Sequence, residues 1–170
     1  MNAILADWNE ADEAQATAAM IACCGSREWA AAMVALRPIK SVAELSESAD
    51  RVWSKMNESD LMEAFACHPR IGEHKAAEGA TARSASWSSQ EQSSIESAEQ
   101  RVLVELEEAN ASYEEQFGFT YIVCATGKSA AEMLAILKRR LENERGAELR
   151  EAAEQQRQIT QIRLGKWLIS

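Results

Sequence analysis

Proline occurs in this chain only at positions 38 and 69, and glycine at only seven of 170 positions. Proline removes a backbone donor and collides with the preceding turn, and glycine costs a helix about 1 kcal/mol, so the chain offers few places that interrupt a helix. Between them Ala, Glu, Gln and Leu recur, all strong helix formers. With neither an internal repeat nor a linker, the expectation is an all-α, single-domain bundle of about seven to eight helices over residues 1–170.

Caps and apolar spacing divide the chain further. A first helix is expected from Asp12 to Cys24, ended by Gly25, and a second from the Ser26 cap through Trp29 and Met33 to Leu36, halted before Pro38. Ser41 with Glu44 forms a capping box for a third, whose Val42, Leu45, Ala49, Val52 and Met56 make one apolar stripe. Asn57 caps a fourth, with Leu61, Met62, Phe65 and Ala66 apolar, closed by Pro69. His68 to about Trp87 has no clean period, and loops this long inside a compact domain usually carry function or are disordered. A long helix follows, roughly Ser89 to Gln116, with Ile95, Val102, Leu106, Ala109 and Tyr113 inward and Gly118 beyond its end. Phe119 to Cys124 is β-prone, but six isolated residues cannot make a sheet, so a buried extended connector is expected. Ser129 with Glu132 opens a helix through Met133, Leu137 and Leu141, and a last helix runs from about Ala147 to Trp167.

The formal charge of −9 argues against a nucleic-acid or anionic-membrane partner, each of which needs a basic face. No apolar run approaches membrane-spanning length, and Asp7, Glu10, Asp12 and Glu13 take the place of a basic leader, so a cytoplasmic location is expected. Cys23, Cys24, Cys67 and Cys124 form no CxxC pair and suggest neither a zinc knuckle nor a disulfide framework. His74 and His68 without a third ligand make a poor metal site, so no metal is expected.

Three places depart from this pattern. In Cys67-His68-Pro69-Arg70-Ile71-Gly72, Pro69 fixes its own φ and pushes His68 out of the helical region, holding the imidazole on a defined backbone. An imidazole exchanges protons near neutrality, although a helix-terminal His that merely complements the dipole has the same spacing. Ser88 with Glu91 is a capping box; with Gln92 it also brings free N–H groups, a hydroxyl, a carboxylate and an amide to one helix start, suited to a polar or anionic ligand. Arg163 falls on the stripe of Leu149, Ala152, Gln156, Ile159 and Trp167. An inward guanidinium requires an anion, either an internal carboxylate or a bound substrate, unless it snorkels near the chain end.

Together, His68-Pro69-Arg70-Ile71-Gly72, Ser88 with Glu91-Gln92, Phe117-Gly118-Phe119 leading into Ile122-Val123-Cys124-Ala125, and Ile159 through Arg163-Leu164 resemble the 2-oxo-4-hydroxy-4-carboxy-5-ureidoimidazoline (OHCU) decarboxylases of urate breakdown. The resemblance implies an all-α homodimer that needs neither metal nor organic cofactor and converts the ureidoimidazoline to (S)-allantoin. It implies that His68, Glu91 and Arg163 are catalytic, and that Pro69, Ser88, Gln92, Ile122, Val123 and Cys124 bind substrate, partly through backbone groups. Ser93-Ser94-Ile95 stands where many relatives are rich in Gly and Ala, a departure beside the pocket. The competing expectation is a helical module that binds a partner or a small acidic metabolite without catalysis. The enzyme requires His68, Glu91 and Arg163 to line one pocket; the binding module does not.

Overall fold

The structure is a computed structural model and describes residues 2–71, 87 and 100–170. Among these, eight helices are formed and no strand: α1 (Ala3–Glu10), α2 (Glu13–Cys24), α3 (Arg27–Ala35), α4 (Val42–Trp53), α5 (Glu58–Ala66), α6 (Gln100–Phe117), α7 (Ala130–Arg140) and α8 (Arg145–Trp167). The all-α expectation holds. None of these helices is long and apolar enough to cross a membrane. The expected start of the long helix (residues 89–99, Ile95 included) and most of the irregular stretch lie outside the described residues, although Trp87 itself is helical and buried.

The chain forms two compact units, residues 1–64 with 157–170 and residues 65–156. In the first, α2 packs on α3 and α3 on α4. Asp12 caps α2 by accepting from the Gln15 N–H at 2.7 Å. Gly25 ends it at φ 90°, where a Cβ would be strained, and returns its N–H to Ile21 O. Ser26 starts α3 by accepting from the Trp29 N–H, and Trp29, fully buried, donates its indole N–H to Ala49 O at 3.2 Å. Leu45, Ala49 and Val52 of the α4 stripe are buried, but Val42 is 45% exposed, because it stands at the first position of the helix, where the stripe runs out toward solvent.

The spacing of caps leaves α1 unannounced, so the helix expected first is the second. Asn2 caps α1, and only two of its residues, Leu5 and Trp8, are buried, too few for a visible stripe. Trp8 meets Trp167 edge-on at 6.0 Å, and Asn2 donates to Leu168 O, so the two chain ends close the unit. Glu44 also departs from the expected box: its carboxylate accepts from the Lys40 N–H rather than from that of Ser41.

The second unit is built around aromatic side chains. Leu106, Ala109, Tyr113 and Phe117 are the buried stripe of α6, and Gly118 at φ 79° lets the chain reverse after it. The segment 119–125 then runs without helix or strand, with all but Thr120 buried, as expected of an extended connector. Tyr113 packs against Phe117, Phe119 and Tyr121 with ring centroids 4.7 to 5.8 Å apart, and Phe65 packs on Phe119. Of the fourth expected helix, Phe65 is buried but Ala66 is exposed, since Ala64 takes the inward place beside it. Helix α7 carries the expected reciprocal capping box between Ser129 and Glu132. Helix α8 starts at Arg145, two residues before the expected position.

Candidate active site

His68 lies just past the end of α5, its N–H donating to Phe65 O at 3.1 Å and Pro69 preventing further helix. The following residues are tied down in turn. Arg70 makes a two-pronged ion pair with Glu114 on α6, at 2.8 and 2.5 Å, and Asn110 donates from the same helix toward Ile71 O at 3.4 Å while also bonding Leu106 O. His68 and Pro69 are half-buried between these anchors.

The imidazole is oriented by α8. His68 Nε2 is 2.7 Å from Oε1 of Gln156, a side chain with no solvent exposure. A glutamine oxygen only accepts, so Nε2 carries the proton, and in the neutral ring the basic lone pair belongs to Nδ1. Gln156 stood on the inward stripe of the last helix without a role assigned to it; a lone amide on an apolar face was the available signal.

The segment 122–124 is held from one side. Ile122 O accepts from Arg140 Nη1 at 2.7 Å, the Cys124 N–H donates to Gln155 Oε1 at 2.9 Å, and Cys124 O accepts from Lys128 Nζ at 2.8 Å. Among the described residues, Val123, 4% exposed, makes no hydrogen bond through its own N–H or C=O. Buried backbone groups are nearly always paired, so an unpaired N–H and C=O on one residue are suited to a ligand that brings a donor and an acceptor together.

Behind Ile122 lies a charge cluster that the sequence reading did not single out. Arg140 Nε donates to Glu148 Oε1 at 2.7 Å, and Nη2, 2.5 Å from the same oxygen, completes the ion pair without hydrogen-bond alignment. Tyr113 Oη also donates to Glu148 Oε1, Asn143 donates to Oε2 at 2.9 Å, and the guanidinium lies over the Tyr121 ring at 4.9 Å. Burial works against the charge on Arg140, but the hydrogen bond and charge of Glu148 outweigh it and raise its pKa above the ordinary value. Burial likewise pushes both tyrosine hydroxyls well above the ordinary phenol range, with Glu148 adding to the shift at Tyr113.

Arg163, on the C-terminal part of α8 and in the first unit, is 1% exposed, so it is inward and does not snorkel. Ser88, Glu91 and Gln92, with Gly72, His74 and the Ser93-Ser94-Ile95 departure, lie outside the described residues. Among the described residues no three His, Cys, Asp or Glu side chains gather as metal ligands, and no disulfide joins the four buried cysteines.

Residues 9–165 match the family model of OHCU decarboxylase. The chain is similar to the uric acid degradation bifunctional protein TTL of Arabidopsis thaliana, 35% identical over 144 residues, which are 85% of this chain and 44% of that protein. It therefore spans less than half the length of that relative. It is 28% identical over 135 residues to the 2-oxo-4-hydroxy-4-carboxy-5-ureidoimidazoline decarboxylase of Amia calva, covering 79% of this chain and 77% of that one. Among solved structures, one of OHCU decarboxylase in the presence of (S)-allantoin superposes with a TM-score of 0.76 at 36% identity, over 88% of this chain and 96% of the other. A family-model match over residues 9–165, with a like fold, places this chain in the OHCU decarboxylase family.

Proposed function

We propose that this chain decarboxylates 2-oxo-4-hydroxy-4-carboxy-5-ureidoimidazoline to (S)-allantoin, using neither metal nor organic cofactor. The observation that carries the reading is the likeness, at 36% identity and over nearly all of its length, to an OHCU decarboxylase solved in the presence of (S)-allantoin. The oriented imidazole of His68 supports it, because the reaction needs a positioned proton carrier.

The chemistry asks little else. When the C4–carboxylate bond breaks and CO₂ leaves, its electron pair flows into the imine of the substrate ring, whose nitrogen takes up a proton. The C4 hydroxyl then gives up its proton as the carbonyl forms, and a proton reaches C5 on one face. In the proposed site His68 contacts the hydroxyl and carboxylate as acid/base, and Arg163 anchors a polar oxygen. Ser88, Glu91 and Gln92 hold the ureido N–H groups, with Glu91 as the second group placed to move a proton. The backbone at Pro69 and at Ile122, Val123 and Cys124 binds the ring. The enzyme is proposed to work as a cytoplasmic homodimer, which a light-scattering mass of twice the chain's 18.8 kDa would support and a monomer mass would refute.

Freshly generated substrate, followed to (S)-allantoin by circular dichroism, tests the reaction. Acceleration over the spontaneous, racemic background is expected, unchanged by a chelator. His68→Asn is expected to lower turnover by roughly 10²–10⁴, or about 3–5 kcal/mol, with an unchanged far-ultraviolet spectrum. No acceleration by the unmodified chain would refute the reaction and favour a binding module. Loss of turnover with chelator would overturn the metal-free mechanism, and a fully active His68→Asn variant would remove His68 from it.

A further inference from the structure

The Arg140–Glu148 pair is 2% and 0% exposed, yet it lies in a core that hydrophobic side chains would fill as well. Buried ion pairs are weak devices for stability, because desolvation offsets most of their attraction. The arrangement around this one has a geometric outcome. Glu148 takes up Nε and is itself fixed by Tyr113 and Asn143, while Tyr121 carries the guanidinium on its ring face and is pinned by its hydroxyl to Met133 O at 3.0 Å. The remaining directed donor, Nη1, meets Ile122 O at 2.7 Å. Residues 122 and 124 are thereby bonded to side chains of α7, of α8 and of the turn that precedes α7, while among the described residues Val123 between them keeps an unpaired N–H and C=O. That alternation is how an extended segment turns successive amides to opposite sides.

We propose that Arg140 is a positioning residue: held by Glu148, it clamps the Ile122 carbonyl so that the Val123 N–H and C=O are presented to the cyclic amide edge of the substrate. The part concerning substrate rests on the function proposed above; the clamp itself does not. A rigid donor–acceptor pair matches an N–H beside a C=O in a ring, and presenting it without reorganisation strengthens ground and transition states alike. Such uniform binding appears in KM rather than kcat.

The test uses the charge-free double variant Arg140→Met with Glu148→Gln, which keeps an acceptor for Tyr113, and the single variant Arg140→Lys. A lysine has one nitrogen and cannot span Glu148 and Ile122 as a guanidinium does. Both are expected to fold, to raise KM about tenfold and to leave kcat within about threefold, the size of losing one or two neutral hydrogen bonds. In isotope-labelled protein without substrate, the Ile122 carbonyl shift is expected to move and Val123 amide exchange to quicken at least tenfold, with Leu137 amide exchange in α7 unchanged. Loss of a merely structural pair would quicken α7 as well. A folded variant with unaltered Ile122 and Val123 signals overturns the clamp, and altered signals with an unchanged KM overturn its role in binding. If the double variant does not fold, Arg140→Lys decides by the same readings. If the unmodified chain does not decarboxylate the substrate, the proposed function fails, while the Ile122 and Val123 signals still decide the clamp.

Discussion

A glutamine oxygen set against His68 Nε2 fixes which ring nitrogen holds the proton without adding charge. Gln156→Glu tests that contact. A carboxylate in the same place favours the imidazolium, so the His68 titration is expected to move to higher pH in this variant. The chain has only two histidines, so their ring protons can be followed individually by NMR as pH is raised. The acid limb of the pH–rate profile should move upward with the His68 titration. An unmoved His68 titration in the folded variant would show that the ring does not face residue 156. Spacing made the inward direction of residues 156 and 163 legible, because a polar side chain amid Ala152, Ile159 and Trp167 has nowhere else to point. What a buried amide touches, eighty-eight residues away in sequence, is set by tertiary packing and leaves no local trace.

At the level of elements, local chemistry carried most of the fold. Asp12, Ser26 and Ser129 each accept from an N–H three residues on, and Gly25 stops α2, all interactions within a turn or two. The Ser129–Glu132 box is exposed and removed from the proposed chemistry, so it isolates the capping contribution. Ser129→Ala is expected to cost about 1 kcal/mol in urea unfolding with no change in turnover. A loss under a few tenths would mean that packing of Met133, Leu134 and Leu137 holds the α7 start by itself. Hydrogen bonds from the Ser129 backbone and hydroxyl hold the Glu132 carboxyl below its ordinary pKa. Its contribution is therefore present above the unfolded-state pKa and fades as pH falls through the folded one. Arg140 lies on the same helix at the period of Met133 and Leu137, the rule that exposed Arg163 as inward. It was obscured by Lys138 and Arg139, since three basic residues at a helix end read as solvated charges complementing the dipole.

For the molecule as a whole, a formal charge of −9 coexists with a fully buried Arg–Glu pair and two buried phenols. The phenols make global stability visible. Tyr113 and Tyr121 are the chain's only tyrosines, and burial raises both above the ordinary phenol range. Above about pH 10 an unfolded chain releases these protons while the folded one keeps them, so the unfolded state binds fewer protons and stability must fall as pH rises. The contribution is fully present below the unfolded-state value and is lost progressively above it. Phenolate absorbance near 295 nm is therefore expected to stay flat past the usual tyrosine midpoint. It should then rise for both residues at once, together with the loss of helical circular dichroism and with a falling midpoint in thermal melts from pH 9 upward. Removing the Glu148 charge, by Glu148→Gln, should leave Tyr121 buried and silent, because Glu148 is a lesser cause of its shift than burial. A reversible titration near pH 10 in a chain still fully helical would mean that solvent reaches the phenols. It would also mean that the aromatic core behind residues 122–124 is looser than the packing of Tyr113, Phe119 and Tyr121 implies.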